Sequence, residues 1–415
     1  MLRHLSYYDY LASLEENTPA WTTTLAGLGV LSLIDAARDD KSLIDSDWAS
    51  VRGLADRVAS IREGDPIRRV LMRVVDDLRG AGPDWSKVNH SLFAYGRALD
   101  LDGSWALAVD VFDTVAEIAR ADRDPQLAID ATTALGGSAR RSGDWDRSAE
   151  GYAEAAYLAD ALGDKSSGLT VRIGTANTQM ARGNLPAAQL ILDEVIAEST
   201  KSGLDGVSAL AHHGSASIAH LQGRYADAVT LAYKALEKAT NPTVRDNIMA
   251  DLAAAFGAMG LYDAARDAYL VTSTTSRYQW VRWQAAINLM EMAAVEGNAE
   301  SFDSYGRELR YAALDPRLRS YFLLLYGEGC QLLGRHDEGL RSISDARDFA
   351  AEHKIYQVAH DAEQALVAGE KTARAVASAK AWANEPISAE VAHVMNALSS
   401  LREAALVSPP VDEWC

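Results

Sequence analysis

A glycine-led turn recurs along this chain at fixed distances, and that regularity constrains the fold more than any other feature. It reads "GSWALAV" at Gly103, "GDWDRSA" at Gly143, "GNLPAAQ" at Gly183 and "GRYADAV" at Gly223. It continues as "GLYDAAR" at Gly260, "GNAESFD" at Gly297 and "GRHDEGL" at Gly334, so the spacings are 40, 40, 40, 37, 37 and 37 residues. A repeat of this length is one supersecondary unit that buries its apolar face only against its neighbours. A 415-residue chain is too long for one ordinary compact core, and the repeat explains how it is filled.

The register within each unit is that of paired helices. Seven residues before the turn glycine stand Gly96, Gly136, Ala176, Ala216, Ala253, Met290 and Gly327; five after it stand Ala108, Ser148, Ala188, Ala228, Ala265, Phe302 and Gly339. Small residues at both places allow two antiparallel helices a close approach. Trp105, Trp145, Tyr225 and Tyr262, between them, are expected to fill the next gap as core. Leu252, Phe256 and Met259 share one helical stripe, as do Ala265, Ala268 and Tyr269. Helix starts are expected at Asp124–Pro125, Asn241–Pro242 and Asp315–Pro316.

This arrangement resembles the tetratricopeptide repeat in its long-period variety, over about Asn89 to Val367. The departures are Met290 and Phe302 in the sixth unit and His336, in place of the aromatic, in the seventh. The resemblance implies an all-α, right-handed superhelical solenoid of antiparallel helix pairs. Residues 1–45 are expected to form an N-terminal helical cap and 46–88 a degenerate pair, followed by seven repeats over 89–369. C-terminal capping helices over 370–406 and a flexible tail over 407–415 complete the expected order.

Charge narrows the partners. A net charge of −18 disfavours wrapping nucleic acid or an anionic membrane and suits neutral or basic partners. The arginine-rich stretch around "IRRVLMRVV" has seven Arg against five acids over Arg52–Arg79, and it is read as a solvated helix face. Two cysteines, Cys330 and Cys415, point to a reducing compartment. Glu15 and Glu16 stand where a signal peptide needs its apolar core, and "LAGLGVLSLI" is about half a membrane span. A cytoplasmic protein is expected.

By the same resemblance, the first helix of each pair lines a groove that takes an extended peptide or a partner subunit. The groove registers fall on His90, Arg97, Asp130, Arg140, Asn177, His213, Ser217 and His220, then on Asn247, Asp251, Gln284, Asn288, Glu291, Glu328 and Gln331. The carboxamides among them can both donate to and accept from a peptide backbone. Arg97 and Arg140 lie toward one end, and Asp251, Glu291 and Glu328 toward the other, so a ligand with basic residues fits the C-terminal repeats. The family's two-carboxylate clamp for chaperone tails needs Lys at set positions, which here carry none.

No HExxH, P-loop, GxSxG or CxxC occurs, and no cofactor, metal or catalysis is expected. His213 and His220 are seven residues apart, about 10.5 Å along a helix, too far to share an ion. The expected function is a non-catalytic interaction scaffold. The alternative is a peptide-responsive regulatory sensor that modulates a partner's activity.

Overall fold

A computed structural model of the chain describes residues 3–39, 48–79, 84–276, 278–312, 314, 316–353, 355–368 and 387–407. Among these residues there are helices and no strands. They are α1 (Leu5–Ser13), α2 (Pro19–Asp39), α3 (Trp48–Ala59), α4 (Pro66–Leu78), α5 (Trp85–Asp102), α6 (Trp105–Ala121) and α7 (Pro125–Ser142). Next come α8 (Trp145–Leu162), α9 (Lys165–Ala181), α10 (Leu185–Lys201), α11 (Asp205–Leu221), α12 (Tyr225–Lys238), α13 (Pro242–Ala258) and α14 (Tyr262–Thr275). The series ends with α15 (Gln279–Glu296), α16 (Ala299–Tyr311), α17 (Pro316–Leu332), α18 (His336–Glu352), α19 (Tyr356–Ala368) and α20 (Ala389–Val407). Consecutive helices pack side by side, the arrangement of an all-α repeat solenoid. Two compact units divide the chain, Met1–Val195 and Ile196–Cys415.

The turns explain the period. Gly103, Arg123, Gly143, Gly163, Gly183, Gly203 and Gly223 all have positive φ, one every 20 residues. Both connections in each of these repeats therefore end a helix in the left-handed conformation. At Gly143 the Asp144 N–H reaches back to the Ala139 carbonyl (2.9 Å), and the Asp144 carboxylate then accepts from Arg147 N–H (3.0 Å). One dipeptide thus satisfies orphan groups of two helices. Beyond Gly223 the second helices shorten to 14, 14 and 13 residues in α12, α14 and α16. Their exits run through extended residues, Ala239, Ser276 and Ala312, and the period falls to 37.

Packing follows the small-residue register, with one exchange. A Cβ on Gly96 would sit 2.6 Å from the Phe112 ring, so α5 and α6 meet only because that carbon is missing. In the sixth unit the bulk has changed sides. Phe302 is buried and stacks on Tyr326 at 5.1 Å between ring centroids, while Gly329 and Gly306 provide the space against those two rings.

The expectation for the turn aromatics needs correction. Trp105, Trp145, Tyr225 and Tyr262 are half-buried at the first position of each second helix. Two of them lean back on the turn: the Trp105 indole N–H donates to the Asp100 carbonyl (3.2 Å), and Tyr225 meets the His220 ring edge-on, while Tyr262 packs against the edge of the core. Phe112, Tyr152 and Leu192, nine residues after the turn glycine, fill the gaps instead.

The N-terminal apolar stretch also reads differently in three dimensions. "LAGLGVLSLI" belongs to a helix whose span Pro19–Arg38 is long and apolar enough to cross a membrane by length and composition. Its Ala26, Val30, Leu31 and Ile34 are buried in the core of the first unit. Helix α1 joins the same unit through a 2.8 Å hydrogen bond between the Tyr7 and Tyr95 hydroxyls.

Helix α20, expected as a cap at the end of the array, lies elsewhere. It packs on α14 and α12, with Val391, Val394 and Leu398 buried and Arg402 paired to Asp267 at 2.8 Å. Short second helices rich in Ala supply the apolar face it covers. The other expected C-terminal helix (371–384), the tail beyond Val407 and with it Cys415 lie outside the described residues.

Candidate functional site

In the first unit, α5, α7 and α9 line a shallow cavity of about 480 Å³. Arg97 and Arg141 reach it, with Phe93, Thr133 and Thr170. Arg141, which the repeat register passes over in favour of its neighbour, pairs with the buried carboxylate of Asp100. Ser138 donates to the same carboxylate at 2.7 Å, and Arg97 stands 3.9 Å from its other oxygen. Arg140 turns away, toward the buried Tyr152 hydroxyl, and its Nε has no hydrogen-bond partner among the described residues. Successive residues on a helix point about 100° apart, which is why adjacent arginines take opposite duties. Asn177 is half-buried on α9, while His90 and Asp130 are exposed.

In the second unit, His213 on α11 and Asp251 on α13 are joined at 2.7 Å. Ser217 sends its hydroxyl to the His213 carbonyl (3.1 Å) and stands 3.5 Å from the same carboxylate. Serine and histidine thus share the aspartate. His220 packs against Tyr225, apart from His213, and no group of three metal-ligating side chains occurs among the described residues.

Further along this unit, carboxylates gather without a cation. Glu291 on α15 and Glu328 on α17 are half-buried and form no ion pair with another described residue. Burial, then the charges of Glu291 and Asp361, push the Glu328 carboxyl up to about 7. Burial also raises the Glu291 carboxyl. Tyr269 on α14 is pushed up to about 12 by burial and by the charges of Glu291 and Asp251. Asp361 on α19 and Tyr269 escape the repeat register because they sit on helices it does not sample. Gln284 and Asn288 are half-buried on α15 and Asn247 is exposed on α13. Gln331 differs: its side-chain stem lies against Gly339 of α18, in the seam between paired helices.

Cys330 is buried, and its thiol is pushed up to about 11 by that burial, the environment of an inert core cysteine.

Comparisons with known proteins add little to this geometry. No family model matches the chain, and no curated protein matches its sequence. Among solved structures, the crystal structure of BtubC (BKLC) from P. vanneervenii is 14% identical and covers 64% of this chain and 92% of that one, at a TM-score of 0.36. A circular tandem repeat protein with novel repeat topology is 12% identical over 97% of this chain and 98% of that one, at 0.18. At these scores neither likeness carries an argument about this protein.

Proposed function

We propose that this chain is a non-catalytic interaction protein of the tetratricopeptide type, holding an extended segment of another protein against its first helices. In the second unit the segment presents basic side chains to Glu291 and Glu328, with Asp251 and Asp361 flanking. The observation that carries the reading is the pair of half-buried carboxylates without a cation. Holding charge partly out of water is costly unless it is compensated, and a lysine or arginine from a partner compensates it. Asn288 and Gln284, on the same helix as Glu291, offer both donors and acceptors to the partner's backbone.

The test uses fluorescence anisotropy with a labelled decapeptide carrying Arg at alternate positions. We expect binding at pH 8 that weakens toward pH 5, as Glu328 takes up its proton, and a loss of at least tenfold in Glu291→Gln/Glu328→Gln. Equal binding by parent and variant would remove the groove from the reading. Affinity capture with the same two proteins as bait then names the natural partner. A short free peptide that raises the melting temperature, with no folded protein co-purifying, would favour the regulatory sensor over the scaffold.

A further inference from the structure

Several of the described arginines are paired within the chain. Arg141 pairs with Asp100, Arg147 with Asp113, Arg335 with Asp303 and Arg402 with Asp267. In the pair α3–α4 and its connection six arginines lie close together in sequence, and Arg52, Arg57, Arg62, Arg68, Arg69 and Arg73 form no ion pair with another described residue. The sequence around them has a positive balance within a chain of net charge −18.

Helix α4 carries three of them, Arg68, Arg69 and Arg73, away from its buried side. Its Ile67, Leu71, Val74, Val75 and Leu78 are buried, which fixes the rotation of the helix. The opposite side carries exposed Arg69 and Arg73, with half-buried Arg68 and Met72 beside them. These four line a cavity of about 620 Å³, whose edge also bears Glu63, Asp65 and Asp76. Asp65 caps α4, its carboxylate accepting from the Ile67 N–H at 2.8 Å. Asp76 is already engaged by Arg79 at 2.7 Å.

We propose that this arginine-lined cavity on α4 docks an acidic peptide segment of a partner protein, of the form acid–x–acid in extended conformation. Arg69 and Arg73 are one helical turn apart, about 6 Å along the axis. Alternate residues of an extended chain are about 6.6 Å apart and face the same way, so two carboxylates two residues apart meet two guanidinium groups. Each guanidinium offers a planar fork that fits a carboxylate with two parallel hydrogen bonds, a geometry lysine cannot supply. Met72 provides apolar surface between them. A nucleic acid fits less well, because its unbroken line of phosphates would pass Glu63 and then leave the basic face for an acidic molecule, whereas a peptide places its charges only where the arginines stand. The site is separate from the carboxylates of the second unit and does not depend on the reading given to them.

The experiment is fluorescence anisotropy on the full chain with a labelled nonapeptide carrying Asp at alternate positions, against the same peptide with Asn. We expect the Asp peptide to bind and the Asn peptide to bind at least tenfold more weakly. Arg69→Gln/Arg73→Gln should lose at least tenfold for the Asp peptide with an unchanged melting temperature. Arg69→Lys/Arg73→Lys should show an intermediate loss, and it replaces the glutamine pair if that variant melts early. Glu291→Gln/Glu328→Gln should bind as the parent does, which keeps this result distinct from the groove. No binding by the parent, or undiminished binding by the Gln and Lys pairs, would overturn the proposal. So would equal or tighter binding of a single-stranded oligonucleotide of the same net charge.

Discussion

Asp100 and Glu328 stand at similar places in their repeats, three and six residues before the turn glycines Gly103 and Gly334, yet they meet opposite surroundings. Asp100 is 8% exposed and receives Arg141, Ser138 and, at longer range, Arg97. Glu328 meets Glu291 and Asp361, both of its own sign. The first-unit carboxylate completes an internal network, and its role is to hold α5 against α7. The second-unit carboxylate adds charge that nothing in the described chain offsets. A polar residue on the inner side of a repeat therefore says little about binding until its neighbours are known.

The same chemical change should have opposite consequences at the two places, and the largest effect belongs to the first. Asp100→Asn leaves Arg141 without its counter-charge and should cost about 3 kcal/mol, seen as a lower denaturation midpoint in urea at pH 7. A variant as stable as the parent would mean that the network is solvated and the contrast false.

Glu328→Gln should instead stabilise the protein by roughly 1–3 kcal/mol at pH 8. The sign follows from proton binding. A carboxyl raised to about 7 in the fold holds its proton where the unfolded chain has released it, so stability is lost as pH rises from the ordinary glutamate range through about 7. The gain in the variant should accordingly vanish near pH 4. Thermal melts of parent and variant across that window measure it, and a gain independent of pH would exclude the carboxylate as its source.

The smallest effect concerns the turns. Arg123 holds φ at +60°, where Gly163 and Gly203 serve in the next two repeats. Arg123→Gly should add roughly 0.5–1 kcal/mol by removing the strain of a side chain in the left-handed region. The connections after α12, α14 and α16 leave in extended conformation, and glycine at Ala239 should stabilise nothing. If both glycines acted alike, the two kinds of connection would not differ as described.

Much of the fold was legible because its signals are local. Turn glycines, the Asp or Asn that follows them, and Pro125 and Pro242 mark helix ends through backbone conformation and capping, which depend on a few neighbouring residues. The 20-residue half-period was also present but obscured, since Arg123 replaces glycine at one of its nodes. The site was legible only as a set of registers. They name Arg97, Glu291 and Glu328, and they name Arg140 but not Arg141, Asp100 or Asp361, which the structure places beside the same carboxylates or cavity.

By itself, then, the sequence determined that paired helices would stack, where each would end, and which faces would be small enough to meet. Tertiary structure alone decided which inward charges are answered, that Gly329 yields space to Phe302 from the preceding unit, and that α20 covers α12 and α14 rather than the last repeat. The division has a physical cause. Helix ends are settled within a few residues of backbone, whereas charge pairing and volume exchange join residues 27 to 135 positions apart, from Phe302 to Gly329 up to Asp267 to Arg402. No local pattern records which distant side chain will arrive.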